Sequence, residues 1–507
     1  MVKNKKLYGV LWSSVALLGS QTLKAEKPLN QARQAPPTKM SSQGSLKKAA
    51  AKKSKGAASS LDIEKQTFSN QPLNQALMEA YRKNSTIHTE LHKFYGLAEK
   101  IPEARAAFLP DIRLESSESR GRNRSKTDTN APSMRTNIND RQISVKVQQS
   151  LFKSWGSVAN LTAASHQVKA AHYNFQQAVQ EVMTEAVDAY LDLVFTKELV
   201  KLNKESLVFF KRRLQSVKAA YEAGDQTETA VAESESRLAE AEARVIEAEG
   251  KQQEAVAAYE RTVGKELPSA LIYPHLIEDL PKNLDELTSQ LKNKNPAVLG
   301  SRYSLRAAKE AVHGERSHLL PSVDLVGSAS QDLNRSHKRD PLGSPQDKTT
   351  KRDTSIRGTL QLTVPLYQRG ARWSGYHRSQ EELKQATFNL EDVHQKSKEK
   401  IIKIWQQHRT AKKKMERFKS QIKYAKTSRD GLVLEADLGE SSLFDALEAE
   451  VKFVDAQINY REAQKHVLSS AYKILAAVGE LTPERLGLEV TPYDLKKHVD
   501  YVRGRLF

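Results

Sequence analysis

The 507 residues contain no cysteine, which excludes disulfides, thiolate metal ligands and lipid attachment through a cysteine. After residue 25 no run is apolar enough to form a transmembrane helix. The motifs of common enzyme sites are also missing: there is no P-loop, no HExxH, no GxSxG and no cysteine nucleophile. His313 and His318 are five apart and do not share a helix face as an i, i+4 metal pair would, and His408 falls in a packing seam, where a satisfied interior histidine is the simpler reading. No catalytic, cofactor-binding or metal residue is assigned. Acidic residues are in deficit, 61 against 80 lysines and arginines, for a net charge of +19. That balance invites a nucleic-acid reading. The excess, however, concentrates in Lys39–Lys55, a Lys/Ala/Ser-rich stretch with little to bury, and in Lys396–Lys426, where a solvated helix face accounts for it more simply than a binding surface.

Proline is absent from Trp155 to Glu222, and the apolar positions keep a heptad through Ala186, Ala189, Leu193, Thr196, Val200, Asn203, Leu207 and Phe210. Spacing of alternating threes and fours places these on one seam and predicts a helix of about 100 Å packed along its length. Ala223-Gly224-Asp225 reads as a turn, and a return helix over Thr229–Val263 carries its own seam at Leu238, Ala241, Val245 and Ala248. The same hairpin recurs 215 residues later. Leu151-Phe152 becomes Leu366-Tyr367, Gly224 becomes Gly439, Gly264 becomes Gly479, and the seam becomes Ile401, Ile404, His408, Ala411 and Met415. Upstream the offset is 211, with Asn84 on Asn295 and Leu109-Pro110 on Leu320-Pro321. One offset sustained over such a length indicates two tandem half-chains.

The ends differ in character. Residues 1–25 read as a secretory signal, with Lys3, Lys5 and Lys6 before an apolar core at Leu7–Gly19 and a cleavage site at Leu23-Lys24-Ala25. Residues 26–60 read as a disordered basic linker. The first repeat is expected over 61–264, a proline-rich inter-repeat linker over 265–283, the second repeat over 284–479, and a C-terminal segment over 480–507.

Each repeat opens with a helical pattern, Pro72–Phe108 in the first, which Pro110 ends. The period then drops to two. Ile112 and Leu114 alternate with Asp111, Arg113 and Glu115; after a polar loop at Gly121–Asp140, Ile143, Val145, Val147 and Leu151 do the same. In the second repeat Val323 and Leu325 open one strand, and Leu360, Leu362, Val364 and Leu366 line the other. Strands are expected at about 110–121, 141–152, 321–331 and 356–367, and long helices at about 155–222 and 370–434. Each strand has about the ten residues that cross an outer membrane at a tilt. Phe152 and Tyr367 stand at the strand-to-helix junctions, where interfacial aromatics sit. A soluble sheet packed on the helices is the alternative; four strands in phase behind an export signal favour the membrane. Four strands cannot close a barrel, and the smallest membrane barrels need eight, so more than one chain must contribute.

The chain resembles the TolC family of outer-membrane efflux proteins over about Leu61–Leu488. The resemblance rests on the tips Tyr221-Glu222-Ala223-Gly224 and Leu434-Glu435-Ala436-Asp437-Leu438-Gly439, on the acidic, alanine-rich return helices, and on the strand ends Ser150–Gly156 and Val364–Gly370. It implies a mainly α protein with a membrane β-barrel: a homotrimer whose twelve-stranded β-barrel continues into a periplasmic α-barrel. The implied function is a passive exit duct of a tripartite efflux pump or type I secretion system, not an enzyme. The implied partners are a periplasmic adaptor, an inner-membrane pump of RND or ABC type and outer-membrane lipid, without nucleic acid or cofactor. Adaptor docking is expected at the turns of Gly224 and Gly439. Asp445 and Glu448 are three apart on the second return helix, on one face; under threefold symmetry they would form acidic rings at a periplasmic constriction, with Glu233 of the first repeat as a further member. Solvated acids favoured by the helix dipole are the alternative. The tyrosine, arginine and aspartate that bridge neighbouring coils in better-known members fall here on Ala436, Ser441 and Ala230, so closure uses other contacts. Two rival functions remain: a periplasmic adaptor of the same pumps, which would show one hairpin within lipoyl-like strands, and a basic coiled-coil nucleic-acid-binding protein, which the signal and strands oppose.

Overall fold

A computed structural model describes residues 72–505 apart from 127–132, 265–266, 269, 276–279, 282 and 340–344. The signal expected at 1–25 and the linker expected at 26–60 lie outside the described residues, as does part of the linker expected at 265–283.

The chain begins with α1 (Pro72–Lys83), α2 (Ser85–Ala98) and α3 (Lys100–Ala106). This corrects the single helix expected over Pro72–Phe108. Asn84 leaves the helical region (φ −64°, ψ 126°), and its Oδ1 accepts the Thr86 N–H at 2.9 Å, so the residue caps α2 instead of continuing α1. Its amide then donates to the Thr262 carbonyl at 2.8 Å, tying this break to the end of the first return helix. Asn295 does the same in the second half. Its Oδ1 accepts from Val298 N–H at 3.0 Å and its Nδ2 donates to Ala477 O at 2.7 Å. Both asparagines are buried.

Next come β1 (Asp111–Ser125) and β2 (Met134–Phe152), the long helix α4 (Gly156–Glu222) and its return α5 (Glu228–Val263). The second half runs α6 (Leu284–Lys294), α7 (Pro296–Ser317), β3 (Ser322–Arg339), β4 (Pro345–Thr363), α8 (Ala371–Asp437) and α9 (Leu443–Ala477), and α10 (Leu495–Gly504) follows. Helices α4 and α8 have 67 residues each, and both their starts and their ends stand 215 apart. No helix among the described residues is long and apolar enough to cross a membrane.

The strands form one antiparallel sheet in the order β1-β2-β3-β4, the central β2–β3 pairing joining the two halves. They are longer than their apolar pattern. β2 begins at Met134, inside the stretch expected as a loop, and β3 runs on to Arg339, because the ladder continues through polar residues that carry no hydrophobic signal. β4 behaves oppositely at its far end. It stops at Thr363, before Pro365, which has no N–H to give a ladder, so Val364 and Leu366 lie past the strand in which they were expected.

The main core gathers Leu73, Leu77, Phe94, Met183, Tyr190 and Leu193 with Leu468 and Leu475 of α9 and Leu481 and Leu495 of the C-terminal segment. The Tyr190 hydroxyl donates to Ile272 O at 2.8 Å. A smaller cluster joins Leu287, Leu291, Ile401, Ile404 and Val478, and a third, at the far end of the helices, joins Phe210, Ala241 and Leu447. Along its first half α4 lies between α1–α3 and α7; along its second half it lies between α5 and α9. Helix α8 packs on α6, α7 and α9.

Candidate functional site

Two parts of the fold carry the surfaces a conduit would use: the sheet and the two helical turns at the opposite end. The register places Ile112 opposite Val147, Leu114 opposite Val145, and Ile143 in the same row of outward positions; Val147 faces Gly327, Val145 faces Ala329, and Leu325 and Val323 pair with Leu360 and Leu362. All four strands therefore present their apolar positions on one face. That face is open in the single chain: Leu114 is 73% exposed and Ile356 85%. The other face is polar. Lys146 bridges to Glu115 at 2.6 Å, Arg113 to Asp111 at 2.5 Å, and the Ser330 and Ser355 hydroxyls share a 3.0 Å hydrogen bond. From Ile143 to Phe152 the apolar band of β2 would measure about 25 Å in a tilted strand, the height of a membrane band. Leu151 sits at the irregularity where the β2–β3 register shifts between Ser150 and Phe152. Just below it, Trp155 and Tyr367 stand out, exposed, beside the left-handed turns Ser154-Trp155 and Arg369-Gly370 that open the long helices.

At the far end, the α4–α5 and α8–α9 turns share one hydrogen-bond pattern. Gly224 (φ +87°) gives its N–H to Tyr221 O and Asp225 gives its own to Ala220 O; Gly439 (φ +78°) and Glu440 repeat this onto Ala436 and Glu435. Thr227 and Ser442 then cap the return helices through their hydroxyls. Nothing described lies within 4 Å of where a Cβ would stand on either glycine, so the positive φ, and not crowding, demands glycine there.

Of the acids singled out by spacing, Asp445 is exposed in the first turn of α9, and Glu448, one turn on, is half-buried and bonded to Lys452 at 2.7 Å. That hydrogen bond holds the Glu448 carboxyl below the usual carboxylate range. Glu233 is half-buried on α5. The tip also holds polar contacts that spacing did not reveal. Arg213 of α4 reaches Asp437 at the end of α8; Arg244 of α5 reaches Asp455 of α9 at 3.1 Å; and Arg237 lies over the Phe444 ring at 5.3 Å. Arg429 meets the buried Glu450 at 3.3 Å and stacks 4.4 Å from the Phe453 ring. Burial pushes the Glu450 carboxyl upward, and Arg429 opposes that shift. The seam of Ile401 to Met415 continues at the same spacing through Phe418, Ile422 and Ala425 to Arg429, and an arginine there is the one available signal, since such a position holds a charge only when a partner accompanies it.

A family model described as outer membrane efflux protein matches residues 97–265 and 287–480. The chain belongs to the outer membrane efflux protein family. It is 26% identical over 438 residues to the outer membrane efflux protein BepC of Brucella suis, covering 86% of this chain and 92% of BepC. To the outer membrane protein TolC of Escherichia coli it is 21% identical over 431 residues, 83% of this chain and 85% of TolC. Its fold matches the CmeC outer membrane channel of Campylobacter jejuni with a TM-score of 0.70 at 18% identity, covering 86% of this chain and 90% of that one. An outer membrane efflux protein is a channel and not an enzyme, placed in the outer membrane and extending into the periplasm.

Proposed function

We propose that three copies of this chain form one exit duct, a twelve-stranded barrel continued by a ring of helices, and that it serves a pump which supplies the energy from the inner membrane. The observation that carries this reading is that both flanks of one chain are open in a matching way. On one side lie the free edge of β4 and, directly after it, α8; on the other lie the free edge of β1 with α1–α3 and α5. Helix α8 has two apolar stripes. Ile401, Ile404 and Ala411 are buried within the chain, whereas Phe388, Ile402 and Tyr424 occupy outer positions of the same heptad and remain in contact with solvent. A helix apolar on two sides packs on two neighbours. Head-to-tail association supplies the second neighbour and pairs both sheet edges in the same movement, and such contacts close into a ring. Lipid tolerates no open edge, so closure and membrane insertion go together. Lys396, Lys400, Lys403 and Lys414 occupy the flank between the stripes, where they meet water.

The apolar band including Val145, Val147, Leu360 and Leu362 faces lipid. The turns at Gly224 and Gly439 receive the adaptor, and Asp445, Glu448 and Glu233 line the periplasmic constriction. Because Lys452 half-neutralises Glu448, Asp445 carries the larger share of the field there. The Arg213–Asp437 bridge lies beside Ala436, one of the positions where the family's tyrosine, arginine and aspartate are missing, and Arg244–Asp455 joins the return helices about 20 Å further from the turns; together they hold the coils at the closed end. Native mass spectrometry of the detergent-purified protein tests the assembly: a trimer is expected, and a monomer with its β signal intact would remove the reading. Planar-bilayer recordings test the constriction, with Asp445→Asn combined with Glu448→Gln expected to lose cation preference and block by trivalent cations. Unchanged selectivity and block would take the acids out of the pore.

A further inference from the structure

Beyond its apolar band the lipid-side face of the sheet turns abruptly basic. On β2 the position after Ile143 on that face is Arg141; on β4 the alternation passes from Ile356 through Thr354 to Arg352. The register carries the row across the sheet: Arg141 pairs with Leu333, which pairs with Arg352, and Asn139 pairs with both Arg120 and Arg335. Arg122 follows opposite Asn137. On this face of the distal strands, among the described residues, Glu118 is the sole carboxylate, bonded to Arg120 at 2.9 Å. The opposite face at the same height carries the acids instead, with Asp140 accepting from Asn334 at 2.5 Å and Asp353 paired to Lys351 at 2.7 Å. The fold has no use for this segregation, since most of these guanidinium groups meet no carboxylate among the described residues. Their level is that of a headgroup layer: one step past the apolar band, at the end of the sheet away from the periplasmic helices.

We propose that this arginine girdle binds the phosphate groups of phosphorylated lipid headgroups in the outer leaflet, so that the channel holds a bound annulus of anionic lipid. The inference rests on the barrel reading, which decides that this face looks outward. Guanidinium groups suit the role because their planar forks grip phosphate oxygens bidentately, and the low-dielectric boundary beside the band strengthens each contact.

The test titrates the full-length, detergent-purified protein with bisphosphorylated lipid A and with its dephosphorylated form, counting retained lipids by native mass spectrometry. Wild type is expected to hold the phosphorylated form about tenfold more tightly. The preference should collapse in the combined variant Arg120→Gln, Arg141→Gln, Arg335→Gln and Arg352→Gln and survive in Lys338→Gln with Lys351→Gln, which removes charge from the inner face. If the fourfold variant does not assemble, Arg141→Gln with Arg352→Gln is read in the same way, with a smaller loss. Equal retention of the two lipids by an inserted wild-type trimer overturns the girdle and leaves the barrel standing. So does a preference undiminished by the outer-face variants, or one lost equally in the inner-face pair. A wild type that neither inserts nor assembles overturns the barrel and the girdle together.

Discussion

Helices α4 and α8 have the same length and the same place in their half-chains, yet 26 residues of α4 are buried and only 4 of α8. The first is surrounded by helices of its own chain, and its apolar residues are spread around it. The second buries one narrow seam and leaves an aromatic stripe and a lysine flank in solvent. The seam itself is weaker. Position for position, the fully buried Leu193 of α4 corresponds to His408 of α8, whose Nδ1 shares a 2.9 Å hydrogen bond with Ser470 Oγ. One long helix is therefore built as the spine of the chain, and the other, on the trimeric reading proposed above, as a contact between copies.

The sharpest way to break this contrast is to delete the paired side chains. Leu193→Ala is expected to lower stability by about 2–5 kcal/mol through the cavity it leaves, and His408→Ala by about 1 kcal/mol, in denaturant titrations of the assembled protein. Equal losses would mean that α8 is as much a spine as α4. The sheet should show no such asymmetry, since both halves share one apolar band: Val147→Arg and Leu362→Arg are each expected to cost insertion about 2–4 kcal/mol near the bilayer midplane, read as membrane yield. Normal yield of either variant would misassign that half's face. The buried asparagines are likewise matched. Asn84→Ala and Asn295→Ala should each cost about 1–3 kcal/mol, because each removes a cap and strands a carbonyl of the return helix, Thr262 or Ala477. Denaturation midpoints that move in one variant alone would show that the two breaks carry unequal load.

Smaller effects sharpen the contrast. Phe388→Ser should leave hydrogen exchange within the chain unchanged and weaken the trimer by about 1–2 kcal/mol per interface, measured by dissociation in detergent. Slower or faster exchange along α8 with an unaltered trimer would move the stripe away from the interface. Acid should act in part through His408, alongside His172, whose pKa burial also lowers. Burial lowers the His408 pKa below the ordinary 6.5, so the folded protein keeps the residue neutral while the unfolded chain protonates as pH falls through 6.5. Stability tied to this residue is complete above 6.5 and is lost as pH falls toward the folded value, and His408→Leu should flatten that part of the profile. An identical profile in the variant would assign the acid sensitivity elsewhere.

How much of this could be read from residue order depends on how far each signal repeats. A proline-free heptad run over Trp155–Glu222 leaves few alternatives to a helix, and α4 fills it. The glycines at 224 and 439 announce turns because little else accepts their φ. A single asparagine announces nothing so definite: Asn84 looks compatible with a continuing helix until Thr262 is placed beside it. Strand length was hidden for another reason, since the polar halves of β2 and β3 are held by the backbone ladder and polar side-chain contacts and alternate without hydrophobic contrast. The ion pairs at the tip join residues hundreds of positions apart, Arg213 with Asp437 and Arg244 with Asp455, and no local pattern encodes a partner at that distance.

The pairing of β2 with β3 sets an order of events on the chain. Phe152 and Val323 are ladder neighbours, yet α4, α5, α6 and α7 all lie between them in sequence. A chain delivered from its N-terminus exposes the first hairpin, with an apolar face and an unsatisfied edge on β2, long before β3 exists to cover that edge. Contacts of such separation form slowly, and an uncovered edge recruits other strands in the meantime. The first helical hairpin can form as it emerges, because α4 meets α5 across a short turn, whereas the core it joins is completed only by Leu468, Leu475, Leu481 and Leu495. The sheet must wait for the second repeat and, on the trimeric reading proposed above, for neighbouring copies as well, so it is the part with most need of escort on the way.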